Sequence, residues 1–485
     1  VLVLDSTIKS QDKGAGDRLC DFATSLDFAE LPQEVREQNK LAILDIFGVA
    51  IVGSHFAEGA KEIRGYAFGA GSGGHSTFWA TGERCAPGLA ALVNATHARG
   101  LDYDDIIPFP QIHVSVHVVP ALAALAEDSQ NKITGRDFLT AMVVGCELQA
   151  RLTRAIAPFF GSDLPSLLSS QIFGYFSAAL ACARLMRLDL SASRSALGLA
   201  LMHAAGTEEM VVHATRSMGK ILYAGLSNQG GLQCAMMAAA GITAEGDALT
   251  GQAGLFAALY GGRFDVAALT QELGSEFYSL NRCFKSAPGT LAAHSFAEAA
   301  ILLKRGLGMP VEDIQRIVLH VGSWGRAMCE PIELRRHPPS ASAAMNSIPF
   351  VVAKAVANGA VDLSDFQEAG RTQAATSSIA SRIDYEFSPA LSKTDGLEQA
   401  TVEFVMSNGS TLRKTVEVPL GHPERPLSRE QAIAKFRQNA AFSGHPDLIA
   451  RTDQIAERVL NIENETDVAA FIGAMFAKNN DGVGR

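Results

Sequence analysis

Three stretches are apolar on most faces and rich in Ala, Gly and Ser: GRDFLTAMVVGCELQARLTRAI (135–156), SQIFGYFSAALACARLMRLD (170–189) and GLSNQGGLQCAMMAAAGITA (225–244). A helix with one apolar stripe lies on a surface, whereas one that is apolar all round must be surrounded. Small residues let neighbouring helices approach closely, so these segments predict the central helices of a large helical assembly. Helical spacing runs almost without break from about residue 16 to 270. LPQEVREQNKLAILDIFGVAIVGS (31–54) places Pro32 at a helix start and reads as stopping at Gly53. No window approaches eighteen uninterrupted apolar residues, which argues against a membrane span.

The texture changes after Gly274. IQRIVLHVG (314–322) and ATVEFVMSNGSTLRKTVEVP (400–419) read as strands, the second a hairpin turning at Asn408-Gly409. Helical patterning returns at REQAIAKFRQNAA (429–441). The expected fold class is mainly α with an α+β second domain. A large helical domain built from 1–274 and 425–485 is interrupted by a smaller α+β domain at 275–424. A chain of 485 residues favours more than one domain, and clefts between domains commonly take small molecules.

Composition narrows the partners. The net charge is −10 and no Lys/Arg-rich run occurs, so nucleic acid and anionic membranes are poor candidates. The cysteines (Cys20, Cys85, Cys146, Cys182, Cys234, Cys283 and Cys329) are odd in number and lack a CxxC pair. That argues against a disulfide framework and a thiolate zinc site, and for reduced thiols in a cytoplasmic-type compartment. The N-terminal VLVLDSTIKSQDKGAGDR shows no apolar signal core.

Chemistry concentrates in ARGLDYDDIIPFPQIHVSVHVVPALAALAE (98–127). Asp102, Asp104 and Asp105 precede His113 and His117, which read as opening an apolar helix. The acids either cap that helix or do chemistry at its mouth. The histidine spacing would put two imidazoles on one helix face, but there is no HExxH pattern and no third ligand, so no metal is expected. His113 stands at the helix entrance facing the acids, and His117 reads as packed or capping. GAGSGG (69–74) satisfies a dinucleotide fingerprint only in letters, since a helix precedes it and a strand-like STFWAT follows. Lys220 interrupts an apolar region. It either snorkels to the surface or, if buried, pairs with an acid or binds an anion. Lys285, at the start of the second domain, is placed to reach the cleft.

With these residues in hand, the chain resembles the MmgE/PrpD superfamily over nearly its whole length. LAILDIFGVAIVGS resembles the family's first core helix, NATHARGLDYDD its acidic signature, and HVSVHVVPALAALAE the His-x(6)-Pro helix that follows. GKILYAGLSNQGG and FKSAPGTLAAHSFAEAA fall in the family's order. The family includes 2-methylcitrate dehydratases, cis-aconitate decarboxylases and iminodisuccinate epimerases. The resemblance implies a large helical domain with a smaller α+β lid, a homodimer, and no metal or organic cofactor. It also implies a small carboxylate substrate and proton transfer at a carbon next to a carboxylate.

The resemblance assigns Asp102, His113, Lys220 and Lys285 to the catalytic site. His113, oriented by Asp102, would move the proton, while the lysines hold carboxylates and stabilise enolate-like charge. The chain departs from the family's pattern at four places. Leu168 stands where the family has a second histidine, Ile106 replaces a hydroxyl residue, Tyr223 a histidine and Asn228 an arginine. Ile106, Leu168 and Tyr223 are the candidate substrate-binding residues. An apolar arm packed on Leu168 and Ile106, or a substrate with fewer charges than methylcitrate, is then expected. A lyase is the first reading and an epimerase, which shares the first step, the alternative. A non-catalytic relative that kept the fold is the third.

Overall fold

The computed structural model describes residues 14–79, 81–160, 164–212, 218–308, 310–393 and 396–476. Most of the N-terminal stretch weighed as a signal segment, and residues 214–217 ahead of Lys220, lie outside them.

The helix Gln33–Phe56 begins after Pro32, as its sequence predicts, but continues through Gly53. A Cβ on Gly53 would lie 1.9 Å from the His97 carbonyl oxygen, so this glycine permits close packing and does not end the helix. Its neighbours are the helices Pro87–Arg99 and Arg429–Ser443. By length and apolarity Gln33–Phe56 could cross a membrane, yet most of its apolar window is buried among those neighbours.

The helices Gly135–Ile156, Ser169–Leu185 and Leu222–Ala239 form the centre. Thr134 caps the first through an N–H of Asp137 at 3.1 Å, a bond of the kind that stabilises by about 1 kcal/mol. A Cβ on Gly231 would meet the Ala178 side chain at 2.6 Å, which shows why this helix pair needs small residues. Phe138, Phe173 and Phe176 fill the spaces between helices and are fully buried, each burial stabilising by roughly 1.5–3 kcal/mol.

Before Val119 the chain does not form the expected helix. Ile112–His113 is a short strand paired antiparallel with Ile106–Ile107, so that His113 faces Ile106 in register. A 3₁₀ turn, Ser115–His117, follows, and the α-helix runs only from Val119 to Asp128. Val114 (φ −118°, ψ −70°) and Val118 (φ −127°, ψ −52°) flank that turn, and β-branched side chains of this kind lower the preference for a regular α-helix. Pro120 has no N–H to donate and sits in the first turn, where none is needed.

The sheet lies in the second half of the chain. Its order is Ile383–Phe387, Ile314–Val321, Ala400–Met406, Thr411–Val416, the first pair parallel and the rest antiparallel. The expected hairpin forms: Gly409 has φ +83° and the Asn408 side chain accepts from the Ser410 N–H at 2.9 Å. Helices Leu291–Gly306 and Ile348–Asn358 pack together and against this sheet. The chain then returns to the helical part. Ser428 opens Arg429–Ser443 with a capping box, and Val468–Phe476 packs on Val119–Asp128. The fold is mainly α with a smaller α+β portion, and all seven cysteines are buried and free.

Candidate active site

The helix Pro87–Arg99 ends at Gly100, and two residues on Asp102 takes a left-handed backbone, φ +48°. Such a conformation costs a non-glycine residue about 1–3 kcal/mol. The turn places its carboxylate among three cations. Arg99 Nη1 lies 2.9 Å away, Lys285 Nζ 2.5 Å and Lys220 Nζ 3.6 Å. Lys285 also donates to the Asp102 carbonyl at 2.8 Å. Burial alone would raise the Asp102 pKa, but Arg99, Lys285 and Lys220 overcome it and hold the carboxyl well below its usual range.

His113 is fixed by Asp104 and not, as the family resemblance implies, by Asp102. Its Nδ1 lies 2.7 Å from Asp104 Oδ2, whereas Nε2 is 4.0 Å from Asp102 Oδ1. A carboxylate can only accept, so the Nδ1 proton points at Asp104 and Nε2 is left with its lone pair. Burial, then the Arg99 charge, pushes the His113 pKa below its ordinary value against the pull of Asp104. Asp104 is raised by burial but brought down to about 2 by His113 and Arg99, the latter at 3.2 Å. Lys220 is lowered to about 8, chiefly by burial, with Asp102 opposing.

A second layer holds these groups. The Tyr223 hydroxyl accepts from Arg99 Nε, and its ring stacks on His117 with centroids 5.6 Å apart. His117 turns away from the acids to Ser227 Oγ at 2.7 Å, and burial lowers its pKa to about 3. Asp104 and Asp105 cap no helix. Asp105 pairs with Arg282 Nε at 2.9 Å and accepts from Ser115 Oγ at 2.8 Å, while burial raises its pKa to about 6. Gln149 Nε2 donates to the carbonyls of His113 and Ser170 at 3.2 and 3.1 Å. Asn228 accepts from the Ala121 N–H at 3.0 Å and donates to the Val116 carbonyl at 2.8 Å, so it serves the first turn of the Val119 helix.

The structure thus brings Asp102, His113, Lys220, Lys285 and Tyr223 together. Ile106 and Leu168 lie in different apolar clusters. Ile106 packs with Cys283 and Leu291, and Leu168 packs on the main core at the head of Ser169–Leu185. Three neighbours escape the sequence reading. Arg99 sits one helical turn before Asp102, a spacing the sequence does display. Asn346 accepts from Lys220 Nζ at 2.9 Å across 126 residues, and no local pattern announces it. His294 is buried on the Leu291–Gly306 helix, where burial and then Lys285 and Lys435 push its pKa to about 3.

Arg99, Lys220 and Lys285 oppose Asp102 and Asp104, leaving one surplus positive charge when His113 is neutral. Asp102, Asp104 and His113 also offer donor atoms within 4.8 Å of one another, so a third candidate metal ligand does exist, although His117 is not in the group. Those carboxylates are already engaged by three cations, a setting that repels a divalent ion.

The sequence model of the MmgE/PrpD N-terminal domain matches residues 17–267, and that of the MmgE/PrpD C-terminal domain matches 288–462. A cis-aconitate decarboxylase of Homo sapiens is 27% identical over 463 residues, spanning 91% of this chain and 92% of its own length. That of Mus musculus is 26% identical over 447 residues, spanning 90% and 88%. A cis-aconitate decarboxylase of Aspergillus terreus is 24% identical over 488 residues, spanning 96% of both. With the two domain models covering most of the sequence in the expected order, the chain belongs to the MmgE/PrpD family.

Proposed function

We propose that the protein is a lyase of the dehydratase/decarboxylase type that moves a proton at a carbon next to a carboxylate of a small acid. One observation carries the mechanism: a neutral imidazole, fixed through Nδ1 by Asp104, presents Nε2 beside the carboxylate on which Arg99, Lys220 and Lys285 converge. His113 Nε2 is the proton-transfer atom. The lysines hold a substrate carboxylate and stabilise the enolate-like charge, a preorganised cation being worth most where water is excluded. In a decarboxylation, the bond to the departing carboxylate breaks and carbon dioxide leaves, the electron pair shifts the double bond, and the far carbon takes a proton that His113 Nε2 has first picked up from solvent. In a dehydration, His113 takes the α-proton, the carbon–oxygen bond breaks as the double bond forms, and His113 passes the proton to the departing hydroxyl, which leaves as water.

The surplus single charge offsets one carboxylate, which favours substrates with fewer free charges than cis-aconitate. A trial panel therefore runs from cis-aconitate to mono- and dicarboxylates, followed by NMR in heavy water. Turnover is expected to give an unsaturated product or carbon dioxide. Its kcat/KM falls above about pH 8 as Lys220 loses its proton, and the acid limb lies below the ordinary histidine range because the His113 pKa is lowered. Lys220→Arg, which stays charged, loses the alkaline limb. Deuterium in recovered substrate without product would replace the lyase with an epimerase. Neither product nor deuterium across the panel would reject both.

We also propose that the protein is a homodimer. Met202 is 81% exposed at the end of Leu190–His203, and Leu226 (39%) and Met236 (38%) are exposed on the adjoining Leu222–Ala239. Large apolar side chains left exposed on neighbouring helices are candidates for a contact surface, and two-fold dimers are the commonest closed assembly. Light scattering is expected to give twice the chain mass, and Leu226→Glu/Met236→Glu half of that. A monomeric wild type would refute the proposal.

A further inference from the structure

We infer that Lys435, in the last quarter of the chain, is a positioning residue for the active site, acting through Tyr103. This rests on the lyase reading above. Tyr103 separates Asp102 from Asp104, so its peptide planes set the direction of both carboxylates. Two buried lysines grip consecutive carbonyl oxygens of this turn. Lys285 Nζ donates to Asp102 O at 2.8 Å, and Lys435 Nζ donates to Tyr103 O at 2.9 Å. Lys435 Nζ also lies 3.8 Å from the centroid of the Tyr103 ring. The Tyr103 hydroxyl ties the same residue to the Ser286 carbonyl at 3.2 Å, next to Lys285.

The base of the clamp is the ion pair from Lys435 to Asp45 Oδ1 at 2.6 Å, buried on both sides. Asp45 belongs to Gln33–Phe56 and Lys435 to Arg429–Ser443, which pack along one another. The clamp is thus anchored on two long helices, and an ammonium with three donors spends one on the acid and another on the turn. Asp102, left-handed at φ +48°, has no intrinsic preference for its conformation, so its orientation depends on what holds the neighbouring carbonyls.

An ion pair kept only for stability and a clamp kept for geometry make different predictions. Asp45→Leu/Lys435→Met removes both charges and replaces them with apolar groups of similar bulk, a change that buried pairs often tolerate. The measurements are the unfolding midpoint, hydrogen exchange of the peptide spanning 101–106, and kinetics on cis-aconitate or whichever panel acid turns over. The double variant is expected to unfold near the wild-type midpoint. Its 101–106 amides should exchange about tenfold faster, and kcat should fall by roughly 100-fold with KM little changed, the signature of misplaced groups. Wild-type exchange with wild-type kcat in the folded double variant would overturn the inference. Exchange needs no substrate, so if no panel acid turns over, the lyase reading fails while the clamp is still decided by exchange alone.

Discussion

Changing His113 to alanine lowers kcat/KM by about 10² to 10⁴, the range typical of a positioned general acid–base group. Asp104→Asn lowers it by a comparable factor. The two losses share a cause. Asp104 accepts the Nδ1 proton of His113 at 2.7 Å and so leaves the Nε2 lone pair toward the cations. An asparagine that turns its amide N–H toward Nδ1 draws the imidazole proton to Nε2, and the working atom is then occupied, as happens when the orienting acid of a hydrolytic triad is made an amide. Combining both changes should add little to either, since residues that act as a unit are not additive. Circular dichroism and single-turnover rates at matched folded fraction check the series. A fully active His113→Ala would move proton transfer to Asp102, Tyr223 or a lysine.

Asp102→Ala has the largest expected effect on stability, about 3–5 kcal/mol, because truncating one member of a buried ion cluster leaves the others uncompensated. Arg99, Lys220 and Lys285 all lose their shared partner. Of the three, Lys220 is already lowered to about 8 by burial, and without Asp102 it sheds its proton more readily. The unfolded chain, with Lys220 near the ordinary lysine value, then binds more protons than the folded one. Stability must therefore rise with pH between the lowered folded pKa and that ordinary value. Urea midpoints from pH 6 to 9 test this. A deficit in Asp102→Ala that stays constant or widens toward pH 9 would mean that the carboxylate is not the hub of the cluster.

The sequence displays much of this architecture. Helices apolar on most faces do form the centre, the Asn408-Gly409 hairpin turns where its letters place it, and GAGSGG joins the end of the helix Ala60–Ala70 to the strand Ser72–Thr77, a helix-to-strand order inverted from a dinucleotide fingerprint. The short-range geometry around the acids is harder to read. Periodicity treats 113–127 as one helix, yet the backbone divides into the end of a strand, a 3₁₀ turn and an α-helix that starts beside Pro120. That division rotates His113 onto Asp104. Lys220 and Lys285 stand out as charges in apolar surroundings, whereas Arg99 sits in a helix end where a cation is ordinary. Asn346 and Lys435 reach the site from 126 and 332 residues beyond their partners. A neutral amide, and a lysine in a helix that also carries Arg429, Glu430 and Arg437, have no local mark of such a role.

The placement of Lys435 also bears on biosynthesis. Tyr103 leaves the ribosome 332 residues ahead of the ammonium that grips its carbonyl. At roughly 5–20 residues per second, the acidic turn waits on the order of 15–70 seconds for that partner, and the Asp45 carboxylate, made earlier, waits longer. The helical segments around them can collapse earlier on local contacts, but the clamped geometry of the turn cannot close until residue 435 has emerged.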